Sequence, residues 1–269
     1  MGANSSQEQN GAFPPGEVVH CEDSGTFGGG PHEILEVTKL LESVSIPCCL
    51  LGVAALRYYG AGRVQYDWEI CVRRDMLEIA STLLKSEPHI RTYEPAPAHS
   101  TQLFSMIHTY PRFKVRDLHL FFVLTPDDDY HFNCSSSNIE RSYLGLPYPK
   151  LQLHAQSLLD SHDLVSLTDL IDGMNLTEEW GQQNLDLSNS QDIVWAKRKN
   201  REIQEIIPDP DESCWHEKIE KPFSRAETWA EIVRTKERRL GDECPRETWA
   251  TRFRAHNSED PRIELQGDF

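Results

Sequence analysis

The segment from Leu50 to Val72, LLGVAALRYYGAGRVQYDWEICV, constrains the fold more than any other part of the chain. It holds an apolar run that ends at Gly52, a stretch with helical character, a glycine turn and a strand-like run. This order predicts a strand, a helix and a second strand, which is typical of a mixed α and β layer. The last run carries Asp67 and Glu69, which would share one face because side chains alternate along a strand.

The flanking segments extend this pattern. Apolar spacing predicts helices over HEILEVTKLLESVSI and RDMLEIASTLLKSEPHI, and strands over IRTYEPAPAHS, QLFSMIHTY and DLHLFFVLTP. Residues 1–30 are rich in Gly, Ser, Gln, Asn and Pro and are predicted to be a disordered tail. We therefore predict an α/β (α+β) fold with a small mixed sheet flanked by helices in residues 31–147. A mostly helical region with a charged tail follows over residues 148–269.

The charge of the chain limits its partners. Its 269 residues include 43 acidic and 27 basic side chains, so the net charge is −16, and the isoelectric point is about 5.1. This balance argues against nucleic acid as a partner. The seven scattered cysteines contain no CxxC pair and predict reduced thiols in a cytoplasmic protein. A short basic run from Lys197 to Arg201 leaves nuclear localisation open, although a solvated helix face balanced by Glu202 is the favoured interpretation.

The sequence contains no signal peptide and no apolar run of membrane-spanning length. The start of the chain, MGANSS, fits the pattern for N-myristoylation at Gly2. A single acyl chain would provide only a weak membrane anchor.

The two acids of the strand-like run suggest a metal site. Asp117 is predicted to open a neighbouring strand and to meet Asp67 and Glu69 there. Three such carboxylates would suit Mg²⁺, and two ions could hold a triphosphate. The alternative is a solvated strand face whose acids pair with Arg63 or Arg73.

These motifs together resemble the nucleotidyltransferase fold of the DNA polymerase beta superfamily, particularly its small minimal and antibiotic-modifying members. The resemblance covers about residues 32–125 and rests on four motifs, which are Leu51-Gly52-Val53, Gly60-Ala61-Gly62-Arg63, Asp67-Trp68-Glu69 and Asp117-Leu118-His119. The later stretch LTDLIDGMNLTEEWGQQNLDL resembles uncharacterised fungal proteins with this fold.

The resemblance implies transfer of a nucleoside monophosphate from a nucleoside triphosphate to a hydroxyl group, with two Mg²⁺ ions. It assigns the catalytic and metal-binding roles to Asp67, Glu69 and Asp117. It assigns nucleotide binding to Gly52, Val53, Arg57 and Arg63. The acidic chain favours a small or cationic acceptor over a nucleic acid.

Val53 separates the two functional hypotheses. The family carries Gly or Ser at this position, whereas a branched side chain crowds the phosphates and lacks a hydroxyl that could bind one. Val53 therefore favours a catalytically inactive binding or interaction module, while the three acids favour an enzyme.

Two further acids, Asp169 and Asp172, are three residues apart in a predicted helix and would share one face. Helix capping and solubility are their favoured interpretation. The alternative is that one of these acids reaches the cleft as a general base.

Overall fold

The computed structural model describes residues 30–236, 238–239, 250–251, 254–255 and 260–264. The predicted N-terminal tail, including Gly2, lies outside the described residues apart from Gly30. The described chain has a mixed α+β fold, which confirms the predicted fold class.

The main sheet has five strands in the order β1-β2-β5-β4-β3. These strands are β1 (Cys48–Leu51), β2 (Trp68–Val72), β3 (Tyr93–Pro95), β4 (Arg112–Val115) and β5 (Leu120–Pro126). Strands β2 and β5 run parallel, whereas the neighbouring pairs on either side of them are antiparallel. Two short hairpins lie outside this sheet, β6 (Ile139–Arg141) with β7 (Pro147–Pro149) and β8 (Ala250–Thr251) with β9 (Arg254–Ala255).

Helices precede, interrupt and follow the sheet. They are α1 (Pro31–Ser43), α2 (Gly52–Tyr58), α3 (Leu77–Lys85), α4 (Leu151–Asp160), α5 (Leu164–Met174), α6 (Glu178–Asn184), α7 (Ile193–Ile206), α8 (Pro210–Ser213) and α9 (Arg225–Arg234), with a last turn at Pro261–Glu264. Side-chain caps fix several of the later starts. For example, Asp163 accepts a hydrogen bond from the Ser166 amide at the start of α5.

One face of the sheet joins the main hydrophobic core. Leu50, Ile70 and Phe122 lie on this face and are fully buried. Leu170 of α5 and Trp229 of α9 belong to the same cluster. The helical region therefore packs on the sheet through a shared apolar core, which fixes its position relative to β1 and β2.

The opposite face carries a smaller cluster. Cys49 and Cys71 are cross-strand partners on β1 and β2, and both are fully buried. Phe132 and Cys134 from the loop after β5 cover them. The five cysteines among the described residues are free of disulfide bonds.

The predicted strands are too long at two points near the site. The run VQYDWEICV forms a strand only from Trp68 onward, so Asp67 precedes β2. The run QLFSMIHTY forms a 3₁₀ turn at Ile107–Thr109 and no regular strand. Short apolar runs satisfy several local structures, and tertiary contacts decide between them.

No helix within the described residues is long and apolar enough to cross a membrane.

Candidate functional site

A cleft of about 600 Å³ opens between the sheet and the helical region. Gly52, Val53 and Glu69 line it at the junction of β1, α2 and β2. Its lining also includes the segment before β4, the start of α5, parts of α7 and the segment around Lys218. The fold thus brings four residues of the sequence motifs, Gly52, Val53, Glu69 and Arg63, to one concave surface.

Gly52 is required by its own backbone and by its neighbour. Its φ of +56° is left-handed, a conformation that side chains other than glycine's rarely adopt. A Cβ at this position would also overlap the carboxylate of Glu69. The structure therefore explains this glycine by the close approach of a carboxylate, and its predicted contact with phosphate stays a prediction.

Glu69 lies in β2 between Leu51 of β1 and Val123 of β5. Its carboxylate accepts a hydrogen bond from the hydroxyl of Tyr130. Burial raises the pKa of Glu69 above its ordinary value, and the hydrogen bond from Tyr130 opposes that shift. This carboxylate therefore holds its proton more tightly than an exposed glutamate does.

Asp67 is neutralised by Arg112. The Nε atom of Arg112 donates to one carboxylate oxygen at 2.6 Å, and its second amino group donates to the other oxygen at 3.0 Å. The side chains of Asp67 and Arg112 are 7% and 17% exposed, so the pair is largely enclosed. Both oxygens of this acid already have a cationic partner in a bidentate arrangement.

Strand register places Arg112 at this point. Arg112 is opposite Val123 in the β4–β5 ladder, and Val123 is opposite Glu69 in the β2–β5 ladder. The guanidinium carbon also lies 4.2 Å from the centroid of the Phe121 ring, a cation–π distance. The β5 positions beside the two acids thus carry hydrophobic side chains. The positive charge that faces Asp67 is that of Arg112, which lies on β4.

Asp117 does not open a strand, so that prediction is wrong. It is exposed and lies in the turn between β4 and β5, whereas β5 begins at Leu120. Its φ of 65° is left-handed, and aspartate tolerates this conformation better than most residues. The convergence of its carboxylate with those of Asp67 and Glu69 stays a prediction.

The two arginines predicted to bind nucleotide lie in different surroundings. Arg63 lines the cleft and forms an ion pair with Asp169 of α5. Arg57 is exposed, hydrogen-bonds Gln65 at 3.4 Å and is not part of the cleft lining.

Asp169 and Asp172 are not solvated helix acids, which corrects the favoured interpretation. The side chain of each is 2% exposed. Asp169 pairs with Arg63, and Asp172 accepts two hydrogen bonds from Arg239 at 2.6 and 3.0 Å. Buried carboxylates of this kind need such partners to offset the loss of hydration.

Lys218 is a cleft cation that the sequence analysis missed. Its ammonium donates to the main-chain oxygen of Phe104 at 2.8 Å and lies 5.9 Å from the centroid of the Trp195 ring. Burial lowers the pKa of Lys218 below its ordinary value, although Asp129 and Asp163 partly oppose this shift. Among the described residues, no carboxylate forms an ion pair with this ammonium, so it is available to an anionic ligand. Its local sequence, HEKIEK, gives no signal of this role.

A second acidic cluster lies beside the cleft, where β5 leads into a 3₁₀ turn. Asp128, Asp129 and Glu202 bring their carboxylates within 4.8 Å of one another. Two cations occupy this cluster. Lys199 lies 3.0 and 2.6 Å from the first two acids, and Arg74 lies 2.5 and 2.9 Å from them.

Lys199 corrects the interpretation of the basic run as a solvated face, because its side chain is only 4% exposed. Lys197 and Arg198 in the same run are exposed, as predicted.

Comparisons with known proteins do not assign this chain to a family. No family model and no curated protein matches it. Two solved structures from Helicobacter pylori are similar to it. One, of JHP933, shares 13% identity with a TM-score of 0.30 and covers 78% of this chain and 94% of that chain. The other, a candidate nucleotidyltransferase, shares 12% identity with a TM-score of 0.30 and covers 79% and 98%. At this level of similarity neither structure establishes an activity for this chain.

Proposed function

We propose that this chain is a nucleotidyltransferase-like binding module that holds a nucleotide in its cleft and does not perform two-metal transfer. The bidentate pairing of Arg112 with Asp67 is the observation that carries this proposal. The nucleotide as ligand comes from the sequence resemblance, and the cleft supplies a surface suited to it.

The argument against a metal begins with Asp67. A magnesium ion at this acid would replace Arg112 on at least one carboxylate oxygen, and it would lose part of its own hydration shell. Displacing Arg112 breaks hydrogen bonds to a charged group in a largely enclosed pair, at a cost of roughly 2–3 kcal/mol. Arg112 therefore opposes metal binding at the position where the family resemblance implies it.

Glu69 adds little to a metal site. Metal ions bind the ionised carboxylate, so the raised pKa of Glu69 means that a proton competes more strongly with a metal ion here than at an exposed glutamate. The hydroxyl of Tyr130 already occupies one of its oxygens. Val123, its neighbour on the parallel strand, provides no ligand atom.

The cleft is suited to a ligand with one apolar and one anionic part. Its volume lies within the range of small-molecule sites, roughly 300–1,000 Å³. Val53, Leu56 and Ile203 provide apolar lining for a nucleobase. Lys218 and Arg63 provide cations for phosphate groups.

An active transferase is the second candidate. It is favoured by the positions of Asp67 just before β2 and of Glu69 within β2 and beside Gly52, as the family resemblance implies. This candidate requires Arg112 to leave Asp67 when the metal and triphosphate bind.

Calorimetric titration of the four common nucleoside triphosphates, with and without Mg²⁺, tests the proposal. We expect at least one to bind with an affinity that Mg²⁺ does not increase, and no release of pyrophosphate with any acceptor. Lys218→Met should weaken binding by about 10- to 150-fold, because a charge-assisted hydrogen bond contributes about 1.5–3 kcal/mol. The exposed Lys221→Met is the matched control and should bind as wild type does.

Asp67→Asn separates the two candidates. If the module proposal is correct, this substitution leaves triphosphate affinity unchanged. Binding that requires Mg²⁺, is lost in Asp67→Asn and is accompanied by release of pyrophosphate would establish the transferase instead. Absence of triphosphate binding by the folded wild-type chain would overturn both candidates.

A further inference from the structure

Three potential metal ligands meet behind the wall of the cleft. His108 comes from the 3₁₀ turn before β4, Glu212 from α8, and His216 follows Glu212 by four residues. One ligand atom from each lies within 4.8 Å of the other two. His216 is fully buried, whereas Glu212 is exposed. Two distant segments of the chain thus bring two imidazoles and a carboxylate together.

The two histidines lack the partners that buried rings normally have. Neither ring nitrogen of His216 makes a hydrogen bond of good geometry within the described residues, and Nδ1 of His108 is also buried without a partner. The main chain at Ser105 is close enough to raise the pKa of His216 somewhat, although burial lowers it overall. Unsatisfied buried polar atoms cost about 1–3 kcal/mol each and are rare, so this group of them calls for a ligand.

We propose that His108, Glu212 and His216 form a zinc site. Two histidines and one glutamate are a donor set that zinc uses in proteins, with bonds of about 2.0–2.2 Å. Ligand atoms around a tetrahedral zinc ion are therefore about 3.3–3.6 Å apart, which small rotations of these side chains can reach. The exposed Glu212 puts the fourth coordination position next to solvent, where a water molecule completes the set.

The surroundings of His216 fit this role. A zinc-bound imidazole uses one ring nitrogen for the metal and normally donates a hydrogen bond from the other. The main chain at Ser105 lies near this ring and would accept that bond once the ring rotates onto the metal. The ring centroids of His108 and His216 are 5.0 Å apart, so both rings can face one ion.

Zinc at this site would fix one wall of the cleft. The amide of Phe104 donates to the oxygen of Trp215 at 2.7 Å, and Lys218 donates to the oxygen of Phe104. His108 lies in the same segment as Phe104, and His216 lies in the same segment as Lys218. A zinc ion bound by both histidines would join these two segments a second time. The ion would therefore hold Lys218 in place, whether or not the cleft binds a nucleotide.

Two other clusters in the described residues must be distinguished from this one. Cys49, Cys71 and Cys134 form a group of thiols enclosed in an apolar environment. The cluster of Asp128 already contains the cations Lys199 and Arg74. The histidine cluster differs from both, because it combines unpartnered buried nitrogens with access to solvent.

The test uses the full chain without a histidine tag, stripped with a chelator and then titrated with Zn²⁺ alone. We expect one tightly bound zinc ion per chain by calorimetry and mass spectrometry. Co²⁺ in its place should give the visible absorption of a tetrahedral site with nitrogen and oxygen ligands. Glu212→Gln and His108→Asn should each weaken zinc binding by more than about 100-fold. Loss of a group that only hydrogen-bonds a metal ligand weakens binding by about 10- to 100-fold, so loss of a ligand itself should exceed that range.

Matched controls complete the design. Asp211→Asn removes the exposed acid next to Glu212, and His32→Asn removes an exposed histidine elsewhere, and both should bind zinc as wild type does. Circular dichroism confirms that the variants are folded, and Glu212 is exposed enough for its variant to fold. Failure of wild type to bind zinc overturns the proposal. So does zinc binding that survives Glu212→Gln and His108→Asn, or that is lost only in Cys49→Ser.

Discussion

Two acidic clusters flank the cleft, and the fold neutralises them differently. Asp128 and Asp129, after β5, share their cations Arg74 and Lys199 with Glu202. The two acids near the start of β2, Asp67 and Glu69, each have a different partner. Asp67 has an arginine of its own, whereas Glu69 has a tyrosine hydroxyl and a raised pKa.

This difference shows why counting acids is a poor guide to metal sites. In the cluster after β5, cations fixed by the fold occupy the space that a metal ion would need. Of the other two acids, Asp67 is paired with an arginine, and Glu69 accepts a hydrogen bond from a tyrosine and has a raised pKa. Neither arrangement requires an external cation to be stable.

The largest expected effect is on the cluster after β5. Lys199→Met leaves Asp128, Asp129 and Glu202 with Arg74 and the more distant Arg198 as their remaining cations. Since the Lys199 side chain is 4% exposed, we expect a loss of about 3–5 kcal/mol in the free energy of unfolding, measured with urea. The control is Lys197→Met on the exposed face of α7, which should change stability by less than about 0.5 kcal/mol. Equal effects of the two substitutions would contradict the account of this cluster.

Arg112→Met tests the pair on β2 in the same way. It removes two hydrogen bonds to a carboxylate, and we expect a loss of roughly 2–3 kcal/mol in the free energy of unfolding. The substitution also frees Asp67, so Mg²⁺ should stabilise this variant more than wild type in thermal unfolding. The control is Arg116→Met, whose arginine is half exposed and pairs with Glu94. Wild type that gains as much stability from Mg²⁺ as Arg112→Met does would show that the arginine does not block the site.

Local patterns predicted the elements that hold the site. The apolar run, the glycine and the alternating strand around Glu69 follow from neighbouring residues, so β1, α2 and β2 could be inferred. Asp67 and Arg112, in contrast, are separated by 45 positions, and their contact depends on the register of β4 on β5. No local pattern contains that information.

The same limit applies to the cations beside the cleft. Lys199 lies in a basic run whose pattern indicates a solvated helix face. Its side chain is nevertheless buried, and its partner Asp128 is 71 positions away. Lys218 reaches the cleft because its segment packs on Phe104, which is 114 positions away. Contacts over such distances are set by the packing of the whole chain and leave no periodic signal in the sequence.

Gly52→Ala should have an intermediate effect. The new Cβ meets the Glu69 carboxylate in a left-handed backbone conformation, and we expect a loss of about 1–2 kcal/mol in the free energy of unfolding. The control is Gly145→Ala, which has a positive φ of 91° but only an ordinary contact with Leu35 at 3.8 Å. The excess cost at Gly52, measured by urea unfolding, isolates the contact with Glu69. Removing the carboxylate with Glu69→Ala should reduce this excess, and an unchanged excess would exclude that contact as its cause.

The smallest effect concerns the pH dependence of stability. The pKa of Glu69 is raised in the folded state from an ordinary value of 4.5. Between the ordinary pKa of the unfolded state and the higher pKa of the folded state, the folded state binds more protons than the unfolded state does. The free energy of unfolding therefore falls as the pH rises through this interval. Glutamine cannot ionise, and Glu69→Gln should therefore lose this decline. Urea unfolding of both proteins at a series of pH values measures the difference, and parallel curves would contradict the raised pKa.

Tyr130→Phe sharpens the same experiment. It removes the hydrogen bond that lowers the pKa of Glu69, so the pKa should rise further. The decline in stability should then extend to higher pH than in wild type. A decline that ends at lower pH would mean that the hydroxyl of Tyr130 favours the neutral acid.

A crystal structure grown with Mg²⁺ and a non-hydrolysable nucleoside triphosphate tests the central claim most directly. The claim is that groups of the chain itself, Arg112 and Tyr130, already occupy the carboxylates of Asp67 and Glu69. We predict that Arg112 remains bidentate on Asp67, that Glu69 keeps its hydrogen bond from Tyr130, and that no metal ion joins the two acids. Two metal ions bound by Asp67 and Glu69, with Arg112 displaced, would contradict the claim and identify an active transferase site.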